Sequence, residues 1–317
     1  MAVDYRISYR DQLDLAEVKA RSVDWSLFLS AFNHSERVLS VFDQCDADRR
    51  FWLAHREYRF EPADLPDGCI CPSGTDEAEF WHETVDALGA PDFTNETFCI
   101  DVTGFMRPHL AFVVAWLFAN GVDRFYVLYS DPVHYTKQER TPFSKGPVVR
   151  VRQVTGFEGV HETANTENDL VVIGAGYDDE LIRRVAEDKA NARKVQMFGL
   201  PSLEPDMYQE SVIRADKAAE AVGGMPDRQL LFAPANDPFV TAQVLSEFVA
   251  GEERRQPISN LYLSSLGTKP QALGFSLFYL TERRNSPTSL IFPYAESYEQ
   301  ETAQGLARSW LYTVERL

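Results

Sequence analysis

Two stretches decide the fold: Phe98–Pro108 (FCIDVTGFMRP) and Asn260–Pro270 (NLYLSSLGTKP). In each stretch an apolar run stops at hydroxyl and glycine residues, and a cation followed by proline then opens an apolar helix. Each helix leads to another apolar run and then to a tyrosine: Arg124–Ser130 with Tyr135, and Ser289–Pro293 with Tyr298. The order of these features is the same in both copies. It predicts an internal pseudo-repeat of strand, turn, helix and strand.

The rest of the chain alternates between strand-like and helix-like apolar periods. The further expected strands are Trp25–Phe32, Phe51–Tyr58, Val148–Val154, Asp169–Gly176, Lys194–Gly199, Gln229–Pro234 and an antiparallel tail, Gly305–Val314. The further expected helices are Ser35–Cys45, Asp76–Leu88, Asp178–Ala190, Tyr208–Val222 and one near Phe239–Ala250. Alternating apolar strands and helices indicate mainly parallel sheets with helices on both faces. We therefore predict a Rossmann-like α/β fold.

A polar run follows Thr155–Gly159 and suggests a domain boundary. It divides the chain into an N-terminal Rossmann-like lobe, 1–155, and a C-terminal lobe, 156–317. One continuous domain, in which this run is a functional loop, remains the alternative.

Composition is that of a globular protein, with 44% apolar and 25% charged residues among 317. The longest helical apolar stretch, Leu110–Phe118, is too short to cross a membrane. Met1–Arg10 is mixed and polar, unlike an export signal, and the four cysteines fit a reducing compartment. We expect a cytoplasmic protein with no membrane partner. The net charge of −17 disfavours nucleic acid as the main partner.

The second stretch carries the clearest binding signal. Gly267 lets the backbone approach a ligand, Thr268 can bond a phosphate oxygen, and Lys269 adds positive charge at a helix start. A well-capped helix without a ligand is the alternative interpretation. The first stretch and a third strand-to-helix loop add similar residues. The expected ligand-binding set is Thr103, Gly104, Arg107, Asn236, Ser265, Gly267, Thr268 and Lys269.

Catalytic candidates are few. Asp131 and His134 follow a strand, and Asp237 follows another, where acid–base groups of α/β enzymes can lie. Gly174 and Gly176 lack the third glycine of a dinucleotide fingerprint. The pair Cys69 and Cys71 has no matching second pair. The sequence therefore predicts no metal site and assigns no cofactor.

Leu266–Pro270, followed by a small and apolar helix, resembles the Gly-Thr-Lys helix start of CARF-type domains. In those Rossmann-like sensors this turn faces a cyclic oligonucleotide second messenger. The resemblance covers Asn260–Tyr298, with a weaker echo at Phe98–Tyr135. The whole chain is also similar to a bacterial Rossmann-like family of the defence-associated type. The resemblance implies a nucleotide-binding regulator with a protein partner or a homo-oligomeric state.

Three functions stay open on these residues. The first is binding or sensing of a nucleotide or similar phosphorylated molecule in a bacterial regulatory or antiviral defence system. The second is a nucleotide-processing enzyme, by hydrolysis or glycosidic-bond chemistry, that uses Asp131, His134 or Asp237. The third is a structural subunit of a multi-protein complex. Binding without turnover separates the first from the second.

Overall fold

The computed structural model describes residues 3–135, 144–160, 165–203, 207–218, 229–299 and 303–316. The chain forms two compact units. The first unit is Ser8–Thr141 with Ser297–Arg316, and the second is Met1–Ile7 with Pro142–Glu296 and Leu317. The boundary expected after residue 155 lies inside the second unit. The chain returns to the first sheet with its strand Arg308–Glu315, so a single cut in the sequence cannot separate the two units.

The strands are β1 Arg10–Leu13, β2 Leu27–Ala31, β3 Arg49–Leu53, β4 Phe98–Asp101, β5 Arg124–Asp131, β6 His134–Tyr135, β7 Ser144–Gln153, β8 Leu170–Gly174, β9 Arg193–Gly199, β10 Gln229–Ala233, β11 Leu261–Ser265, β12 Thr288–Tyr298, β13 Ala303–Gln304 and β14 Arg308–Glu315. The α-helices of the described residues are α1 Leu15–Ser22, α2 Glu36–Gln44, α3 Glu77–Ala87, α4 Arg107–Ala119, α5 Asp179–Asp188, α6 Met207–Lys217, α7 Pro238–Arg255 and α8 Lys269–Phe278. These elements confirm the α/β class.

The first unit is built on a six-stranded sheet with the order β1-β14-β5-β4-β2-β3. Strands β5, β4, β2 and β3 are parallel, and β14 runs antiparallel to both β5 and β1. The antiparallel tail is therefore confirmed. From β2 the chain winds outward to β3, and from β4 it winds the other way to β5. The strand order thus reverses between β2 and β4.

The second unit has a six-stranded sheet with the order β10-β9-β8-β11-β12-β7. The five strands from β10 to β12 are parallel. Strands β8, β9 and β10 follow one another outward, whereas β11 and β12 lie on the other side of β8. The order of this sheet reverses between β8 and β11. Strands β6 and β13 form a separate antiparallel pair.

Helix starts follow from local chemistry. Asp76, Asp178 and Asp237 each accept backbone N–H bonds at the N-cap of α3, α5 or α7, which satisfies amides that the helix itself leaves unbonded. Arg107 and Lys269 are the first residues of α4 and α8, as expected. Each of these two helices joins neighbouring parallel strands, β4 to β5 and β11 to β12.

Buried apolar side chains hold the helices against the sheets. In α5 the buried set is Leu181, Ile182, Val185 and Ala186, which recurs at helical spacing, and every residue of β8 is buried. The first unit packs Trp25 and Phe28 face to face, with ring centroids 5.7 Å apart. Among the described residues, no helix combines the length and the hydropathy that a membrane span requires.

Candidate functional site

The edge at which β8 and β11 end is the best-formed candidate site of the second unit. In open parallel sheets, ligands bind outside the carboxyl ends of the strands where the strand order reverses. The loops that follow these two strands pack directly together. The Leu266 amide donates to the Gly174 carbonyl at 2.9 Å. A Cβ atom on Gly176 would overlap the Leu266 carbonyl oxygen, so this contact requires glycine.

Thr268 is the N-cap of α8 and forms a capping box with Gln271. Its hydroxyl accepts from the Gln271 amide at 3.3 Å and donates to the Ala235 carbonyl, while Gln271 Oε1 accepts from the Thr268 amide at 3.3 Å. These bonds use the hydroxyl as both donor and acceptor. Thr268 therefore shapes the helix start, as the capping alternative expected.

At this edge Ser265 Oγ and Gln271 Nε2 are donors that are buried without a hydrogen-bond partner among the described residues. Ser265 is 6% exposed and ends β11, and Gln271 is 1% exposed in the first turn of α8. Gln271 Nε2 is 3.7 Å from the position of a Cβ atom on Gly199, the last residue of β9. A buried donor that lacks a partner costs about 1–3 kcal/mol. A ligand oxygen would remove that cost.

The other expected residues of the second unit lie around the same strand ends. Lys269 and Asn236 are half-buried, and Gly267 is so close to Gln271 that a Cβ atom would overlap its Oε1. Asp237 is the N-cap of α7, and its Oδ1 accepts from the Phe239 and Val240 amides, both at 3.0 Å. Its geometry is that of a helix cap.

The edge of the first unit is organised by Asp101 at the end of β4. Its carboxylate accepts from Ser30 Oγ at 2.8 Å and from the amide and hydroxyl of Thr103 at 3.0 and 2.6 Å. The Thr103 hydroxyl also accepts from the Ser130 amide at 3.0 Å. Burial raises the pKa of the Asp101 carboxyl, and these hydrogen bonds oppose the rise. Thr103 thus fixes the turn before α4.

Gly104 completes this turn. A Cβ atom on Gly104 would overlap the Ala31 carbonyl oxygen at the end of β2. The Tyr58 hydroxyl donates to the Gly104 carbonyl at 2.9 Å, and burial raises the pKa of Tyr58 to about 12, which keeps this donor protonated. Arg107, the first residue of α4, is half-buried.

Ser35 and Arg37, which are not among the expected ligand-binding residues, add polar groups to the same edge. Ser35 is the N-cap of α2 but makes no side-chain cap bond, and its buried Oγ has no partner among the described residues. Arg37 is 6% exposed and donates from Nη1 to the Ser130 carbonyl at 2.7 Å. Burial raises the pKa of both Asp101 and Asp131, and the positive charge of Arg37 opposes that rise.

Asp131 is held by the returning strand β14. Its Oδ2 accepts from Arg308 Nε at 3.0 Å and from Trp310 Nε1 at 2.8 Å. Burial raises the pKa of its carboxyl above the ordinary value of 3.8. His134 is exposed on β6. The side chain of Tyr135, and the polar loop expected from Lys137, lie outside the described residues.

The expected ligand-binding residues are thus divided between the units. Thr103, Gly104 and Arg107 belong to the first unit, and Asn236, Ser265, Gly267, Thr268 and Lys269 belong to the second. No protein-family model matches the chain, and no curated protein matches it at a significant level. The resemblance to CARF-type domains and to the bacterial family stays a prediction.

Proposed function

We propose that the second unit is a Rossmann-like binding module for a nucleotide or a related phosphorylated small molecule. The ligand would bind where β8 and β11 end, and the protein would act as a sensor or regulator in a bacterial regulatory or defence system. The strand order supports this location, because such sheets bind ligands where the order reverses.

The observation that carries the proposal is the pair of buried donors, Ser265 Oγ and Gln271 Nε2, which have no partner among the described residues. Both lie beside the N-terminus of α8, whose positive dipole end favours an anion. Lys269 supplies a cation one residue after the N-cap. Ionised phosphate oxygens accept hydrogen bonds and carry negative charge. They could therefore accept from both buried donors and pair with the Lys269 cation.

We also propose that β4–α4–β5 and β11–α8–β12 are copies of one ancestral unit. Arg107 and Lys269 hold the same place in both, at the first residue of a helix that joins neighbouring parallel strands. The copies have diverged at the cap, since Thr268 caps α8 through its side chain whereas Met106 makes no side-chain cap bond to α4.

No reaction is proposed. Asp237 serves as a helix cap, and Asp131 accepts hydrogen bonds from Arg308 and Trp310. Neither arrangement favours acid–base chemistry on a substrate. The sensor and the enzyme remain distinguishable, because the enzyme would convert the nucleotide that it binds.

The test begins with protein purified from bacterial cells, denatured, and analysed by mass spectrometry for released small molecules. Calorimetric titration then measures binding of the molecule found, or of adenosine triphosphate and cyclic dinucleotides as probes. Gln271→Glu keeps the acceptor of the capping box but replaces the donor by an oxygen that repels phosphate. We expect Gln271→Glu to weaken binding at least tenfold. Ser265→Ala should weaken it to a lesser degree.

Gln209→Glu is the matched control, because Gln209 is exposed on α6 of the same unit. It makes the same charge change away from the edge and should leave the affinity unchanged. The proposal fails if neither released nucleotides nor the probes bind. It also fails if Gln271→Glu binds them as tightly as Gln209→Glu does.

A further inference from the structure

The structure assigns a divalent metal site to the first unit, formed by His55, Glu57 and His109. His55 follows β3, Glu57 lies in the 3₁₀ turn Arg56–Tyr58, and His109 is the third residue of α4. One potential ligand atom from each residue lies within 4.8 Å of the other two. This site belongs to a different unit from the edge at which we propose nucleotide binding, and it rests on different residues.

The three potential ligand atoms lie farther apart than atoms bound to one ion, within reach of a side-chain rearrangement. His109 Nε2 lies 4.0 Å from Glu57 Oε1, and the two imidazole centroids are 4.8 Å apart. Ligand atoms bound to one zinc ion at about 2.1 Å lie about 3.4 Å apart in tetrahedral geometry. A movement of about 0.6 Å would bring Glu57 Oε1 to that distance from His109 Nε2, and the pairs that involve His55 would need to close by up to about 1.4 Å. The Glu57 side chain is 22% exposed, so it has room to move.

Packing of the imidazoles alone does not explain the cluster. Phe80 stacks on His55 at 4.7 Å and meets His109 edge-on at 4.4 Å, which orients both rings. Glu57 Oε2, however, is buried without a hydrogen-bond partner among the described residues. Burying a carboxylate oxygen in this way is costly unless a cation or a donor satisfies it. A metal ion supplies that cation.

The donor set selects the kind of metal. Two imidazole nitrogens and one carboxylate oxygen suit zinc and its borderline neighbours better than calcium or magnesium, which prefer oxygen. Three protein ligands leave a fourth position for water or an exogenous group. His55 Nε2 accepts from the Met106 amide at 3.4 Å, a long hydrogen bond. Coordination through Nε2 would replace that bond by a stronger one.

The test uses the full chain after treatment with a chelator, titrated with Zn²⁺ and with Co²⁺ as a spectroscopic probe. We expect one Zn²⁺ per chain, a rise in melting temperature, and Co²⁺ absorption bands typical of nitrogen and oxygen ligands. X-ray absorption of the zinc-loaded protein should show two imidazoles. Absence of stoichiometric binding, or a zinc shell without imidazole, overturns the proposal.

Variants then locate the ion. Glu57→Gln removes the charge at nearly constant volume on a partly exposed side chain, so the variant should fold, and it should lower Zn²⁺ affinity at least tenfold. His109→Gln should lower it further. His82→Gln is the control, because His82 is an exposed histidine on α3 of the same unit. Equal affinity of Glu57→Gln and His82→Gln would contradict the assignment, whether or not His109→Gln folds.

Discussion

Gly176 and Leu266 touch backbone to backbone where β8 and β11 end, with no space for a Cβ atom between them. Gly176→Ala should therefore force the two loops apart and lower the free energy of unfolding by about 1–3 kcal/mol. Gly251→Ala is the matched control, because its Cβ would have no neighbour closer than 3.9 Å within α7. It should stabilise the helix by up to about 1 kcal/mol. Urea unfolding of both variants measures the difference, and equal effects would contradict the close approach.

Lys269→Ala should weaken binding of the phosphorylated ligand by about 1–3 kcal/mol, the scale of a charge-assisted hydrogen bond. The melting temperature should change little, because a cation in the first turn of a helix does not favour the helix dipole. Calorimetric titration beside melting curves tests both parts. Lys217→Ala, an exposed lysine on α6, controls for the loss of one charge. Similar affinities for the two variants would show that Lys269 does not contact the ligand.

The two hydroxyl caps should respond differently to removal. Thr268 accepts from the Gln271 amide, so Thr268→Ala should cost about 1 kcal/mol of stability. Ser35 holds the same place before α2 but makes no side-chain cap bond, so Ser35→Ala should be close to neutral. Chemical unfolding of each variant provides the measurement. A larger loss for Ser35→Ala than for Thr268→Ala would refute this assignment of the two caps.

The buried carboxyl of Asp131 should give stability a pH dependence of known sign. Because burial raises its folded pKa above 3.8, the folded protein holds the proton more tightly than the unfolded chain. This contribution is complete below the unfolded pKa and is lost as the pH rises through the folded pKa. Asparagine does not titrate, so the stability of the wild type relative to Asp131→Asn should fall across that range.

Urea unfolding at a series of pH values, from about 3.5 to 7.5, measures the Asp131 effect within the usual range of carboxyl titration. Asp123→Asn, at an exposed aspartate of the same unit, controls for the loss of one negative charge. If the wild type instead becomes more stable relative to Asp131→Asn as the pH rises, the pH dependence has the opposite sign. A raised pKa of Asp131 would then be excluded as its cause.

Strongly periodic elements could be predicted from the sequence. The helix expected at Asp178–Ala190 is Asp179–Asp188, because its apolar stripe and its aspartate cap are both local signals. Strand β1 was missed, since Arg10–Leu13 lies at a sheet edge with only Leu13 buried and shows no apolar alternation. The helix after it was also missed, although Asp14 and Glu17 form a capping box that signals its start.

The candidate sites were less predictable, because burial decides what a polar side chain can do. Ser265 was expected at a strand end, but Gln271 was not, since a glutamine in the first turn of a helix is usually exposed. Gln271 becomes a candidate ligand-binding residue because the fold leaves it only 1% exposed. His55, Glu57 and His109 form no local motif. Only the fold brings the turn after β3 to the start of α4.

The position of β14 has a consequence for biosynthesis. Its partner β5 ends at Asp131, which pairs with Arg308, a residue far along the sequence. While a ribosome makes the chain, β5 emerges long before β14 exists, and the long segment Pro142–Glu296 of the second unit is synthesised in between. Until then β5 presents an unpaired strand edge, which is where nascent chains associate wrongly. Completion of the first sheet therefore waits for β14, which is translated after every strand of the second sheet.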